Sequence, residues 1–254
     1  MIFSRKKFYL LLGVLSFTTL LNTPQNIYAA TPKCQFNAEI SQLNKLLLNQ
    51  NDNQSGVMTE LKLRKDILLR TLICGTEEFG TLRAKLVDLN PINDEAKTIK
   101  SRLIKNIDEI SKFYGEQQNK IGDLGIRGTK DTARATLDWR KANYLPLATK
   151  IENFLAWHKN QAMFKSAEDR FVNIRSTIQA LKLVEDDGIT PIFEEAEGNL
   201  KAAAEANNQA RVIFLSGTAE NPLPAMRLAL EKLADTYQTF FALSEKVNTL
   251  IPNY

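Results

Sequence analysis

The residues of this chain that could do chemistry are few and widely spaced. Cys34, Cys74 and His158 are its only thiols and its only imidazole. They supply neither the four ligands of a structural zinc site nor a second histidine for a shared metal centre. His158 falls in phase with Tyr144, Leu147, Ile151 and Phe154 on one helical stripe, a pattern that predicts a seam residue rather than a base or ligand. No G-x-S-x-G elbow surrounds a serine, and Ser216-Gly217 falls between two helical segments.

Two polar segments invite a ligand reading. Gly122-Asp123-Leu124-Gly125-Ile126-Arg127-Gly128-Thr129-Lys130 could present backbone amides to a phosphate. It misses the P-loop spacing, because five residues separate Gly122 from Gly128 and Thr129 intervenes before Lys130. Glu185, Asp186, Asp187, Glu194, Glu195 and Glu197 form an acidic cluster without the alternating spacing of a calcium loop. The reading is that no cofactor and no metal is bound. Trp139 and Trp157 are eighteen residues apart, five α-helical turns, so an unbroken helix would aim both rings the same way. They could line an interaction surface for a peptide or glycan, or pack on a neighbouring helix.

The cysteines carry the most definite expectation. Their midpoint is Gln54, inside the polar stretch Asn49 to Gly56. If that stretch turns an antiparallel helical hairpin, equal rise along both arms brings Cys34 level with Cys74, and a disulfide staples the open end. A disulfide needs an oxidising compartment, and the N-terminus is consistent with one. Arg5, Lys6 and Lys7 precede an apolar run from Phe8 to Leu21, a polar stretch and then Ala29-Ala30, the order of a secretory signal peptide. The run is too short for a membrane span, so residues 1–30 read as a cleaved leader, and any membrane contact would come through an uncleaved one.

Loss of that leader alters the charge. The whole chain has 33 basic and 29 acidic residues, and residues 1–30 hold three of the basic ones and no acids. The remainder is nearly neutral and lacks the basic excess that binding a phosphate backbone requires, which argues against nucleic acid as a partner.

The elements that position these residues read as helix throughout. A short helix is expected from Phe36 to Leu48 and a long one from Val57 to Leu89, with Val57, Leu61, Leu68, Leu72, Phe79, Leu82, Leu86 and Leu89 on one face. Asn90-Pro91 reads as a cap opening a third helix to Gln118 through Ile99, Leu103, Ile107, Ile110 and Phe113. After the glycine segment, Thr129 or Asp131 caps a helical stretch reaching Val184, which Pro146 kinks or divides. Thr190-Pro191 opens the next helix, with Glu194 and Glu195 in its first turn, and Ser216 to Asn221 forms the last loop. Met226, Leu230, Leu233, Tyr237, Phe240, Ser244, Val247 and Ile251 then recur at steps of four and three, a coiled-coil-like stripe.

The fold class is therefore all-α: an elongated antiparallel helical bundle with a disulfide-stapled N-terminal hairpin. Two units are expected, 31–121 and 129–254, unless a continuous bundle merges them. For function, the sequence points to an exported, non-enzymatic envelope or extracellular protein that acts as a structural, adhesion or protein-binding module, with a protein partner. Two other readings stay open: an extracytoplasmic sensor or assembly part tethered by its leader, and a hydrolase using the carboxylates around Glu185 to Glu197.

Overall fold

A computed structural model of the chain describes residues 34–48, 54–183, 186 and 188–250. The leader expected at 1–30, most of the polar turn after Leu48, Glu185, Asp187 and the end of the C-terminal stripe at Ile251 lie outside the described residues. Among the described residues there is no strand, and the helices pack antiparallel into a bundle with two successive cores.

Helix α1 (Asn37–Leu48) lies along α2 (Gln54–Asp88), and Cys34 is bonded to Cys74 with Cα atoms 5.8 Å apart. The expected hairpin register is therefore the one found. Most of the α2 stripe is buried as its periodicity predicts, but Val57, near the start of the helix, is exposed. The third helix, α3, runs from Asp94 to Lys120 and returns along α2. Its cap is Asn93 rather than Asn90. The Asn93 side chain accepts the Ala96 N–H at 2.8 Å, and Asp94 and Glu95 then fall where the positive end of the helix dipole favours acids.

A 3₁₀ turn, Ile121–Asp123, ends this hairpin, and α4 (Ile126–Trp139) starts at an extended Gly125. Thr129 is thus inside the first turn instead of capping it, with its hydroxyl donating to the Ile126 carbonyl at 2.8 Å. Arg140–Tyr144 is a π-helical turn, and α5 (Leu145–Ala180) follows with Pro146 in its first turn. The wide turn ends where the proline would otherwise remove an interior hydrogen bond, so Pro146 divides the long stretch.

Helix α6 (Thr190–Ser216) runs back along α5, and α7 (Leu223–Leu250) runs back along α6 with the most extensive interface in the chain. Glu194 and Glu195 sit a turn further into α6 than expected, because the helix begins at Thr190 itself. On α7 the buried stripe is Met226, Ala229, Leu233, Thr236, Phe240 and Leu243, whereas Leu230 and Tyr237 are only half-buried. Alternate positions therefore lie one residue earlier than the sequence stripe. The reason is α6, whose inner face carries Ala196, Ala203, Ala206 and Ala210. Small residues on both sides let the two backbones approach, and Ala229 and Thr236 turn toward that seam.

The first core joins α2 and α3 to Tyr144, Ile151, Phe154 and Trp157, with Phe214 and Met226 closing it. It draws on both sides of the 122–128 segment. The second core contains Phe164, Phe171, Ala203, Leu233 and Phe240 and is built by α5, α6 and α7 with Ile189 from the connection between α5 and α6. Between the two lies a paired amide: Gln161 and Asn207 donate to each other at 3.1 and 3.0 Å, and Gln161 also donates to the Trp157 carbonyl.

Candidate functional site

The densest convergence of polar and aromatic groups lies on a short stretch of α2, from Cys74 to Phe79. Cys74 holds Cys34. Gly75 is buried because the Tyr114 ring occupies the space beside it; a Cβ there would come within 2.6 Å of the ring. Thr76 accepts a hydrogen bond from Gln118 at 3.1 Å. Glu78 pairs with Arg140 at 2.6 Å, and Phe79 meets Tyr114 edge-on at 4.6 Å and Tyr144 at 4.5 Å. Five residues of one helix thus bind Cys34 just ahead of α1, α3 and the π turn.

The π turn aims Arg140 into this hub. Its guanidinium pairs with Glu78 and stands 4.5 Å over the Tyr144 ring, close enough to the Tyr114 hydroxyl to influence it. Burial alone would lower the pKa of Arg140, but the neighbouring Glu78 and Tyr114 outweigh that and raise it. Burial raises the Tyr114 phenol, and Arg140 offsets only part of the rise. The hub therefore holds a permanent cation against a carboxylate and a neutral phenol. Glu78 Oε2 is held by Arg140, whereas Glu78 Oε1 is buried without a hydrogen-bond partner among the described residues, and the ion pair ties α2 to the π turn.

The tryptophans join this packing on different partners. Trp139 stacks on Phe113 at 3.9 Å with planes 14° apart, beside Tyr114. Trp157 is only 3% exposed and packs between Phe154 and Phe214 in the first core. The π turn between them changes the helical phase, so their separation no longer counts whole turns. His158 is half-buried with its ring tilted against Phe154.

The polar segments bond to the chain's own groups at the surface. The Gly122 carbonyl accepts from Lys65 at 2.6 Å, and Ser216 donates to the Ile213 carbonyl at the end of α6. Of the acidic cluster, Glu197 pairs with Arg175 at 2.5 Å and Asp186 accepts the Gly188 N–H. Among the described residues, no three His, Cys, Asp or Glu side chains converge as a metal site would require.

Sequence reasoning missed the Glu78, Tyr114 and Arg140 cluster. The one available sign was Gly75, a glycine in the middle of a long helical pattern, where it costs stability unless another group needs the space. No family model matches the chain, and neither curated proteins nor solved structures give a match. What the fold and hub define is a class: a disulfide-stapled all-α bundle whose most concentrated polar contacts hold helices together.

Proposed function

We propose that this protein is an exported, non-enzymatic helical module that works by holding another protein. The observation that carries the reading is a set of exposed apolar side chains at the end of α1 and the start of α2. Leu47 and Leu48 lie in the last turn of α1 and Val57 and Met58 in the first turns of α2, and Leu48 is 81% and Met58 61% exposed. Apolar side chains from two adjoining helix ends make a compact surface that gains by leaving water, and the stapled body behind it would present that surface rigidly. The partner is taken to be a protein offering an apolar helix face, which such a surface fits better than a polar ligand.

Export is supported by the disulfide, which suits an oxidising compartment. No helix among the described residues is long and apolar enough to cross a membrane. N-terminal sequencing of the mature protein separates a free module, beginning near residue 31, from one held by its leader. Photo-crosslinking tests the binding itself. A crosslinker replacing Met58 in cells should trap a discrete partner, and one replacing Val172, 59% exposed on α5, should not. The adduct should also disappear in a Leu48→Gln background. Equal labelling from both positions would reject the reading.

A further inference from the structure

We infer that the Cys34–Cys74 bond is a redox-operated clasp: reduction releases α1 from α2 while the rest of the bundle stays folded. The inference stands whether or not the hairpin end binds a partner.

Helix α1 is only 12 residues long and has no fully buried residue. Its inner face is half-buried at Phe36, Glu39, Leu43 and Leu46, while Ile40, Leu47 and Leu48 remain exposed. A helix of this length is marginal alone and depends on its contacts. Those contacts are local to one stripe of α2. Arg70 pairs with Glu39 and stands over the Phe36 ring at 5.2 Å. Leu63, Ile67, Arg70 and Cys74 follow at helical steps of four and three, so they share a face. Leu63 is buried yet belongs to neither core, and the antiparallel register set by Cys34–Cys74 and Glu39–Arg70 places Leu46 opposite it. Helix α1 thus covers a strip of α2 that no other core reaches.

Neither cysteine is fully buried, and the clasp requires the bond to be open to attack by a thiolate. The step needs a dithiol reductant. One of its thiolates attacks a bonded sulfur and forms a mixed disulfide, and the departing cysteine sulfur takes a proton. The reductant's second thiolate then attacks the reductant sulfur of that mixed disulfide, closing the reductant's own disulfide and expelling the remaining cysteine sulfur, which takes a proton; two electrons and two protons have passed to the protein, leaving two cysteine thiols. With the crosslink gone, the described contacts left to hold α1 are partial burial, the Arg70–Glu39 ion pair and the stacking of Arg70 on Phe36, each of which contributes little at a partly exposed site. Its release bares Leu63 and Ile67.

Hydrogen exchange on the mature chain tests this in three forms: oxidised, reduced with dithiothreitol, and Cys34→Ser/Cys74→Ser. Thiol counting should first give two thiols per chain under native conditions. Exchange in peptides covering 37–48 should then rise at least tenfold in the reduced and double-serine forms, with that in α5, α6 and α7 unchanged. Failure of the bond to reduce without denaturant would overturn the inference. So would α1 protection equal to the oxidised form, or exchange rising alike across all helices.

Discussion

Arg102 on α3 closes the C-terminus of α6 by donating to the carbonyls of Phe214 and Leu215. The last turn of α6 carries no basic residue of its own, so the charge that its dipole favours is supplied from across the bundle. Gly217, at a φ of 71°, turns the chain left-handed there and leaves room for the guanidinium, which would lie 2.9 Å from any Cβ. Arg102→Ala should cost about 1.5 to 3 kcal/mol in chemical denaturation, the range for hydrogen bonds to a charged group. Arg127→Ala, at a side chain 97% exposed, should change stability by less than about 0.5 kcal/mol.

Two glycines of α2 should respond in opposite directions to the same substitution. Gly75→Ala drives a methyl into the Tyr114 ring and should destabilise by about 1 to 3 kcal/mol. Nothing lies within 4 Å of the corresponding position at Gly80, so Gly80→Ala should stabilise by up to about 1 kcal/mol through helix propensity. Thermal melts of both variants decide whether close packing at Gly75 is real.

The shifted stripe on α7 makes neighbouring leucines unequal. Leu233→Ala removes a fully buried side chain and should cost about 2 to 5 kcal/mol. Leu230→Ala should cost clearly less, since Leu230 is only half-buried. Equal losses would restore the stripe read from sequence.

Gln161 and Asn207 form a test of paired satisfaction. Asn207→Leu leaves the Gln161 amide short of its partner and should cost about 1 to 3 kcal/mol. Gln161→Leu/Asn207→Leu should recover part of that loss, so the double-mutant cycle is non-additive. Additive losses would show that the two amides act independently.

Alkaline stability should report Tyr114. Burial, partly offset by Arg140, raises its pKa above the ordinary 10.0. As pH rises, the unfolded chain gives up the phenolic proton first, so stability present below about pH 10 is lost progressively above it. Lys150 acts oppositely: burial, then the nearby Arg102, lowers its pKa below 10.5, so stability gains as pH climbs toward that value. Comparing Tyr114→Phe with the parent above pH 10 isolates the phenol, and the variant should lose stability less steeply.

The helical fold was legible because apolar periodicity, proline and glycine are local signals. Residues 54–88 announce α2 by themselves, and the midpoint of Cys34 and Cys74 gives its pairing with α1. Contacts that depend on a partner were not legible. Whether Leu230 or Ala229 turns inward on α7 depends on the alanines of α6, and Arg140 meets Glu78 only because a π turn rotates it there. The Trp139–Trp157 expectation assumed unbroken α-helix, and the turn that changes its phase has no marker except Pro146 downstream. For the hub, single-residue chemistry was visible but its convergence was not.

Helices α5, α6 and α7 pass through the Gln161–Asn207 boundary and contribute to both cores, which locks the angular phase of one core to the other. One residue inserted in α5 between Trp157 and Phe164 would rotate everything beyond it by about 100° and present Phe164, Phe171 and Ile178 to the wrong neighbours. An insertion of seven residues would nearly restore the phase but would also need matching turns in α6 and α7. The length of this bundle can therefore change only in concerted steps, with all three helices altered together.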